Sequence, residues 1–285
     1  MIHGNDMKLS FFTEDESFPF YIQYGKHDQQ MFIHGHEDFS ELVIVLGGQA
    51  THIVDKEEFT ISKGDVFVMN QGVHHGYDKA ENLKICNIMF RPENLIGESY
   101  DIKMLPGYHA LFLLEPQYNI EKGFKSRLKL DPVSFTEIES LIKSSINEFE
   151  SNSPSRKTMV RSYFLHLSVL LSRLYGSKVK HKEIEGISNA AAYMETNFQE
   201  DITISKLVEI SHYSQRHFIR LFSATYSMTP QQYLTNIRIR HACFLLRSTD
   251  NSITETALRC GFSDPNYFCR IFMKSIGVTP SSYRK

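Results

Sequence analysis

The last hundred residues of the chain contain an internal repeat with an offset of fifty positions. The residues that coincide at this offset are Phe218 with Phe268, Arg220 with Arg270, Phe222 with Phe272, Thr229 with Thr279, Pro230 with Pro280 and Tyr233 with Tyr283. Apolar positions agree too, since Val208 aligns with Leu258 and Ile210 with Cys260. Such agreement at one offset is hard to attribute to chance. It indicates that one supersecondary unit occurs twice.

Each copy of the repeat has the pattern of a helix-turn-helix. A short apolar helix, a polar or glycine-containing turn and a second helix are predicted at residues 204–210 and 214–226, and again at 253–260 and 264–275. Ser214 and Asp264 are suitable N-caps for the second helices, and Gly261 is predicted to serve the turn. Four phenylalanines at four-residue spacing are expected in the core: Phe218, Phe222, Phe268 and Phe272.

The opposite face of each second helix is predicted to enter a DNA major groove. The residues on these faces are Gln215, Arg216, Ile219 and Arg220 in the first copy and Pro265, Asn266 and Arg270 in the second. Arginine and asparagine suit guanine, adenine and phosphate, and Ile219 suits a thymine methyl. A connecting helix over residues 231–247 would span about 25 Å, a length suited to grooves that repeat every ~34 Å. A helical bundle with solvated arginines is the alternative, and the repetition disfavours it.

The C-terminal third closely resembles the DNA-binding domain of AraC/XylS regulators. The matching positions are Arg238, Ala242, Leu245, Leu246, Ile253, Ala257, Gly261, Phe262, Asp264, Tyr267, Phe268, Arg270, Phe272, Gly277, Pro280, Tyr283 and Arg284. Charge agrees with this resemblance, because residues 187–285 hold 11 Lys plus Arg against 7 Asp plus Glu, leaving 20 against 26 elsewhere. The formal net charge of −2 therefore hides a basic end on an acidic body.

The first ninety residues are predicted to form a β domain. Short apolar stretches at residues 42–46, 59–61, 66–69 and 83–90 alternate with turn signals at Gly47-Gly48 and at residues 63–65. Consecutive short strands indicate a sandwich or barrel. The fold class is therefore predicted as α+β, with an N-terminal β-barrel and a C-terminal all-α domain.

Polar residues near the strand ends resemble the two motifs of the cupin barrel. His34, His36 and Glu41 lie near the start of one strand, and His75 follows another strand and turn. Three interpretations remain open: hydrogen bonding to a sugar or other small effector, binding of a divalent metal such as zinc, iron or manganese, and packing at the barrel mouth. His52 and His74 have weaker claims. We expect an effector site and no obligatory cofactor.

A further stretch resembles the sensor domains of L-rhamnose-responsive AraC-type activators. It runs from Glu41 through Asn82 and Asn87 to Pro92 and Glu93. This resemblance implies a deoxyhexose or related sugar as effector. Composition and spacing alone do not identify the sugar.

Two amphipathic helices, with apolar stripes over residues 135–149 and 160–174, are predicted after the β domain. The stripes are expected to face a partner chain in a homodimer, and packing on the same chain's barrel is the alternative. The predicted boundaries are 1–130 for the effector domain, 131–177 for the dimerisation segment, 178–186 for a polar linker and 187–285 for the DNA-binding domain.

The expected function is that of a sequence-specific transcription regulator, and the resemblance favours activation. Its expected partners are double-stranded promoter DNA, a small-molecule effector, a second copy of the chain and RNA polymerase. The start of the sequence lacks an apolar secretion segment, and its four cysteines have no paired metal spacing, so a cytoplasmic protein with reduced thiols is expected. The alternatives are a metal-dependent cupin oxygenase or isomerase fused to DNA-binding helices, and an architectural DNA binder without an effector.

Overall fold

The computed structural model describes residues 6–28, 31–54, 57–96, 100–116, 128–178 and 182–284. The chain divides into two units, Met1–Gly97 with Gly107–Ile184 and Glu98–Pro106 with Glu185–Lys285. An antiparallel sheet forms the centre of the first unit, and the second unit is helical. The predicted α+β class is therefore confirmed. None of the described helices has the length and apolarity needed to cross a membrane.

The sheet of the first unit is built on two long strands. Its strands are β1 (Phe20–His27), β2 (Ser40–Val54), β3 (Glu57–Ser62), β4 (Asp65–Met69), β5 (His75–Phe90) and β6 (Leu128–Lys129). Their order is β1-β5-β2-β4-β6, with β3 paired to the second half of β2, and every pairing is antiparallel. All four predicted strands lie within these elements.

The Gly47-Gly48 pair does not form the predicted turn. Strand β2 continues through it, and its register with β5 shifts between Val45 and Thr51. Gly48 has φ +70°, and a Cβ there would lie 2.1 Å from the Asn82 carbonyl oxygen. Only glycine accepts that backbone conformation and that close approach, so the pair marks a bulge inside a strand.

The bulge changes which side chains of β2 point into the sheet's inner core. Before it, Val43 and Val45 belong to that core, and after it Ala50 and Val54 do. Alternation along a regular strand would keep odd-numbered residues inside throughout. A bulge shifts the phase by one residue, so the second half of β2 turns its even-numbered side chains inward.

Helices cover the other face of the sheet. The first unit contains one 3-10 turn (Leu9–Phe11) and the helices α1 (Pro92–Leu95), α2 (Pro106–Tyr108, continued by the π-helix His109–Leu114), α3 (Pro132–Glu150) and α4 (Arg156–Lys178). A further 3-10 turn, Asp101–Met104, is assigned to the second unit. The Phe164 ring on α4 lies 5.7 Å from that of Phe20 and 4.8 Å from that of Phe90.

The apolar stripes of α3 and α4 are buried within a single chain. Ile142 and Leu171 are fully buried and Leu167 is 3% exposed. The prediction that these stripes face a partner chain is therefore wrong, because the chain's own sheet already covers them. Packing on the same chain, the alternative from the sequence, is what the structure has.

The second unit begins with a helix where the sequence predicts a linker. Its helices are α5 (Lys182–Asn197), α6 (Ile204–Ser211), α7 (Gln215–Tyr226), α8 (Pro230–Ser248), α9 (Ile253–Arg259), α10 (Pro265–Ile276) and α11 (Pro280–Arg284). Of the predicted linker 178–186, residues 182–186 are helical, and 179–181 lie outside the described residues. Ile184 is 1% exposed, so this polar segment contains one buried apolar residue.

The sequence repeat is also a repeat of contacts. The Phe222 and Tyr233 rings lie 5.4 Å apart, and the equivalent Phe272 and Tyr283 rings 5.5 Å apart. All four phenylalanines predicted for the core are fully buried: Phe218, Phe222, Phe268 and Phe272. Each helix-turn-helix therefore has an aromatic centre, and the predicted core face is confirmed.

The arginines of the connecting helix α8 bind α5 and the segment that follows α5. Arg238 donates from Nε to the Phe198 carbonyl at 2.8 Å and from Nη2 to the Glu200 carbonyl at 2.7 Å. Arg240 pairs with the buried Glu195.

The turn after α9 needs glycine at position 261. Gly261 has φ +81°, and a Cβ there would lie 2.7 Å from the Phe198 carbonyl oxygen. The predicted turn role of Gly261 is confirmed.

Candidate DNA interface and buried histidine site

The two predicted recognition helices, α7 and α10, begin at capped N-termini. Ser214 Oγ accepts a hydrogen bond from the His217 amide at 3.4 Å. Asp264 Oδ1 accepts one from the Asn266 amide at 2.8 Å. Both predicted N-caps are confirmed, and each satisfies an otherwise unpaired amide at the helix start. The caps fix where each helix begins and thus which side chains lie opposite its phenylalanines.

The predicted DNA-facing residues lie on the outer surface of these helices. Those exposed to solvent are Gln215, Arg216, Arg220, Asn266 and Arg270, and Ile219 and Pro265 are partly buried. The sequence reasoning passed over His217, whose Nδ1 lies 3.3 Å from Arg220 Nη2, and the exposed Tyr267 and Lys274. The i, i+3 spacing of His217 and Arg220 is the signal that pairs them on one helix face.

The connecting helix separates the two helix-turn-helix units by a defined length. Helix α8 has 19 residues, which gives about 28 Å at ~1.5 Å per residue. Thr229 and Gln232 form a capping box at its start, with the Gln232 side chain accepting from the Thr229 amide at 2.8 Å. The predicted connecting helix is present, one residue longer at each end.

In the first unit the structure brings together the four predicted effector-site residues, which we call the His–Glu cluster: His34, His36, Glu41 and His75. All four are at least 97% buried. Backbone hydrogen bonds hold His34 beside His75, at 3.0 Å from the His34 amide to the His75 carbonyl and 2.9 Å for the reverse bond. Glu41 lies near the start of β2, so three separate chain segments supply the cluster.

The polar atoms of the His–Glu cluster converge. His36 Nε2 lies 3.3 Å from His75 Nε2. Glu41 Oε2 lies 3.3 Å from His75 Nε2 and 3.6 Å from His36 Nε2. One potential ligand atom from each of the four residues lies within 4.8 Å of the others. The cluster therefore presents several acceptor atoms to one small volume.

Burial keeps the imidazoles of the cluster neutral. It lowers the pKa of His34 to about 4 and the pKa values of His36 and His75 to about 3, because a charged ring loses its hydration there. The Glu41 carboxylate acts in the opposite direction on the pKa of His34 and of His36, and burial outweighs it. Neutral rings can each donate one hydrogen bond and accept another.

His52 joins the cluster from the second half of β2. Its Nε2 lies 3.2 Å from His75 Nδ1, and its side chain is fully buried. The sequence analysis assigns His52 a weaker claim and interprets it as a strand residue. The bulge at Gly47-Gly48 turns it inward.

A separate cavity of about 320 Å³ lies on the other side of β2. Its lining includes Ser40, Asn70 and Glu93, with the Tyr108 side chain. Ser40 Oγ donates to Asn70 Oδ1 at 2.9 Å. Because Ser40 and Glu41 are neighbours on one strand, their side chains point to opposite faces of the sheet. The cavity and the His–Glu cluster are therefore distinct places in the same unit.

Two helix-turn-helix units joined by one helix, and attached to a β domain with a buried polar cluster, define a DNA-binding regulator. An AraC-like ligand binding domain model matches residues 17–144, and a helix-turn-helix domain model matches residues 207–285. The chain belongs to the AraC/XylS family of transcription regulators. It binds DNA under the control of a small-molecule ligand, and neither model supports the enzyme alternative.

Curated relatives align along most of the chain. An HTH-type transcriptional activator RhaR of Mannheimia succiniciproducens is 27% identical over 96% of this chain and 94% of the relative. An HTH-type transcriptional activator RhaS of an Enterobacter species is 28% identical over 90% of this chain and 89% of the relative. The DNA-binding domain of AdpA, solved with a target DNA, is 29% identical over 35% of this chain and 89% of that chain, with a TM-score of 0.34.

Proposed function

We propose that the chain is a transcription activator that responds to a sugar of the deoxyhexose class. The observation that supports activation is the similarity, over most of the chain, to relatives named transcriptional activators. The sugar class rests on the resemblance of the stretch from Glu41 to Glu93 to rhamnose-responsive sensors. An activator acts at a promoter together with RNA polymerase, so we also propose polymerase as a partner and the cytoplasm as the site of action.

The DNA contacts of this proposal are the exposed side chains of α7 and α10. Arg216, Arg220, Asn266 and Arg270 are the proposed base or phosphate contacts, and Gln215, Ile219 and Pro265 complete the two faces. The support is their exposure on the face opposite the buried phenylalanines. Arginine at the edge of guanine and asparagine at the edge of adenine provide the bidentate contacts that discriminate these bases.

The proposed effector site is the His–Glu cluster. Neutral imidazoles and a carboxylate in a buried site offer the mixture of donors and acceptors that sugar hydroxyls require. We expect Glu41→Ala and His36→Ala to weaken binding of the effector by at least about 10-fold, because each loses a hydrogen bond in a buried site. Calorimetry with L-rhamnose and related deoxyhexoses measures the loss.

The matched control for this prediction is Asn70→Ala, which changes the separate cavity on the other side of β2. It should leave sugar affinity unchanged, and all three variants should keep the basal affinity for DNA. If Asn70→Ala removes sugar binding while Glu41→Ala keeps it, the effector site lies in the cavity. Circular dichroism verifies that each variant is folded.

We propose that the chain forms a homodimer through the outer face of α4. Met159 is 41% exposed there, and Tyr163 and Leu170 on the same face are partly buried. A dimer would link two DNA-binding domains and raise their effective concentration on a two-site promoter. Sedimentation of the full chain at micromolar concentration should show a dimer. A monomer both with and without sugar would contradict the proposal.

A further inference from the structure

The His–Glu cluster has the donor set of a transition-metal site. Three imidazoles and one carboxylate offer ligand atoms within 4.8 Å of one another. Imidazole nitrogen combined with carboxylate oxygen suits zinc, iron and related first-row ions, whereas calcium and magnesium prefer oxygen alone. The composition alone therefore points to a divalent transition metal.

The distances within the cluster match the edges of a tetrahedron around such an ion. The separations are 3.3 Å between His36 Nε2 and His75 Nε2, 3.3 Å between His75 Nε2 and Glu41 Oε2, and 3.6 Å between His36 Nε2 and Glu41 Oε2. Ligands at about 2.0–2.1 Å from a tetrahedral zinc ion lie roughly 3.4 Å apart. Three of the four ligand atoms are thus already at coordination spacing.

The outer contacts of two imidazoles leave their Nε2 atoms available to the cluster. His34 Nδ1 lies 3.3 Å from the Phe32 carbonyl oxygen, which only accepts, so Nδ1 carries the proton and Nε2 the lone pair in the neutral ring. His75 Nδ1 lies 3.2 Å from His52 Nε2. Metal-bound imidazoles characteristically donate their second N–H to such an outer partner.

Two buried polar atoms of the cluster, His36 Nδ1 and Glu41 Oε2, lack a hydrogen-bond partner among the described residues. Glu41 Oε2 has no hydrogen-bond partner among the described residues, although the residue is only 3% exposed. A buried carboxylate oxygen without a donor costs about 1–3 kcal/mol or more. A cation at the centre of the cluster removes this cost, because it pairs with the oxygen and the nitrogen lone pairs together.

Aromatic packing restrains one ring of the cluster and the ring of His52 beside it. The His36 ring stacks on Phe39 with 4.4 Å between centroids, and the His52 ring stacks on Phe67 at 4.6 Å. Rings fixed by packing lose little entropy when an ion binds. We propose that His34, His36, Glu41 and His75 bind one divalent transition-metal ion, zinc in the first instance, and that His52 is its outer-sphere positioning residue.

The ion would change how the sensor domain meets its effector. A sugar hydroxyl reaching the His–Glu cluster would meet a metal centre and its ligands rather than bare imidazoles. This step alone rests on the proposed function, and the metal site itself does not. The ion would also join three chain segments: the one that carries His34 and His36, strand β2 and strand β5.

The test measures metal binding by the full chain directly. The protein is stripped with a chelator, incubated with ZnCl2 or CoCl2, desalted and analysed by mass spectrometry for metals. We expect about one ion per chain, visible ligand-field absorption with cobalt and a higher thermal midpoint with zinc. A content below about one tenth of an ion per chain, together with an unchanged midpoint, overturns the proposal.

Three substitutions locate the ion. Glu41→Gln should weaken zinc binding by more than about 100-fold, and His52→Ala by about 10- to 100-fold as an outer partner. His74→Ala is the matched control, because His74 neighbours His75 but is half-exposed and pairs with Asp6 at 3.1 Å. Zinc affinity equal in Glu41→Gln and the wild type overturns the assignment. Should a variant fail to fold, the wild-type titration still decides the proposal.

Sugar binding is measured on stripped and zinc-loaded protein to separate this inference from the proposed function. Zinc binding without any response to deoxyhexoses supports the metal site and contradicts the sugar effector. Sugar binding by protein that takes up no zinc supports the sugar effector and contradicts the metal site. Tighter sugar binding by the zinc-loaded form supports both.

Discussion

Leu171→Glu is expected to unfold the sensor unit rather than to yield a folded monomer. Leu171 is fully buried on α4, in the layer that covers the sheet. Losing a buried leucine costs about 2–5 kcal/mol, and placing a carboxylate in an apolar site adds a further penalty. The sum is comparable to the whole stability of a typical domain, about 5–15 kcal/mol.

Hydrogen exchange followed by mass spectrometry tests this result in the full chain. Amides of α4 and of strands β1 and β5 should lose protection, and amides of α7 and α10 should keep theirs. Met159→Glu on the outer face of the same helix is the control, because Met159 is already 41% exposed and should tolerate the charge. A folded Leu171→Glu chain of native stability would contradict the packing described here.

The two stripes show why periodicity predicted the helices but not their partner. The apolar spacing in residues 135–149 and 160–174 defines one buried face for each helix, and α3 and α4 have those faces. Periodicity identifies the face of a helix that must be buried, but it does not identify the surface against which that face packs. The partner is the aromatic surface of the sheet, where Phe164 contacts Phe20 and Phe90. That contact joins residues far apart in sequence.

The DNA-binding domain was predictable in detail because its determinants are local. A cap, a four-residue aromatic spacing and a turn glycine each act within a few residues, and the repeat offered every signal twice. Ser214, Asp264 and Gly261 all have the predicted roles. The segment between the domains was not predicted correctly, because the polar run before Gly186 contains a single buried apolar residue, Ile184, and one residue gives no periodic pattern.

The strands of the β domain were predictable from the sequence, but the bulge inside β2 was not. Glycine pairs usually mark turns, and strand alternation depends on an unbroken register. Gly47-Gly48 break that register inside β2, which brings His52 to the same face as Glu41. The need for glycine at position 48 comes from the Asn82 carbonyl on β5, a contact between strands that no local pattern contains. The convergence of His34, His36, Glu41 and His75 followed from the cupin resemblance instead.

The double variant Arg216→Ala, Arg270→Ala is expected to lose nearly all sequence-specific DNA binding while remaining folded. Both side chains are exposed on helices whose cores are formed by buried phenylalanines, so truncation leaves the cores intact. A base contact is worth about 1–3 kcal/mol. The two residues belong to different helix-turn-helix units and share no described partner, so their losses should add. The dissociation constant should rise roughly 30-fold to 10⁴-fold.

The measurement needs an operator, which selection from random DNA with the wild-type chain provides. Fluorescence anisotropy on that operator then compares the wild type, both single variants and the double variant at fixed salt. If an arginine reads a base, its variant relaxes one operator position, and Arg216→Ala and Arg270→Ala should relax positions in two successive major grooves of one site. If it contacts phosphate, affinity falls equally on all sequences and the salt dependence becomes shallower. Unchanged operator affinity in the double variant would contradict the assignment of α7 and α10 as recognition helices.

Arg259→Ala is the control for charge alone. Arg259 is an exposed arginine on α9, the first helix of the second helix-turn-helix, and loss of its positive charge should weaken DNA binding only slightly and equally on all sequences.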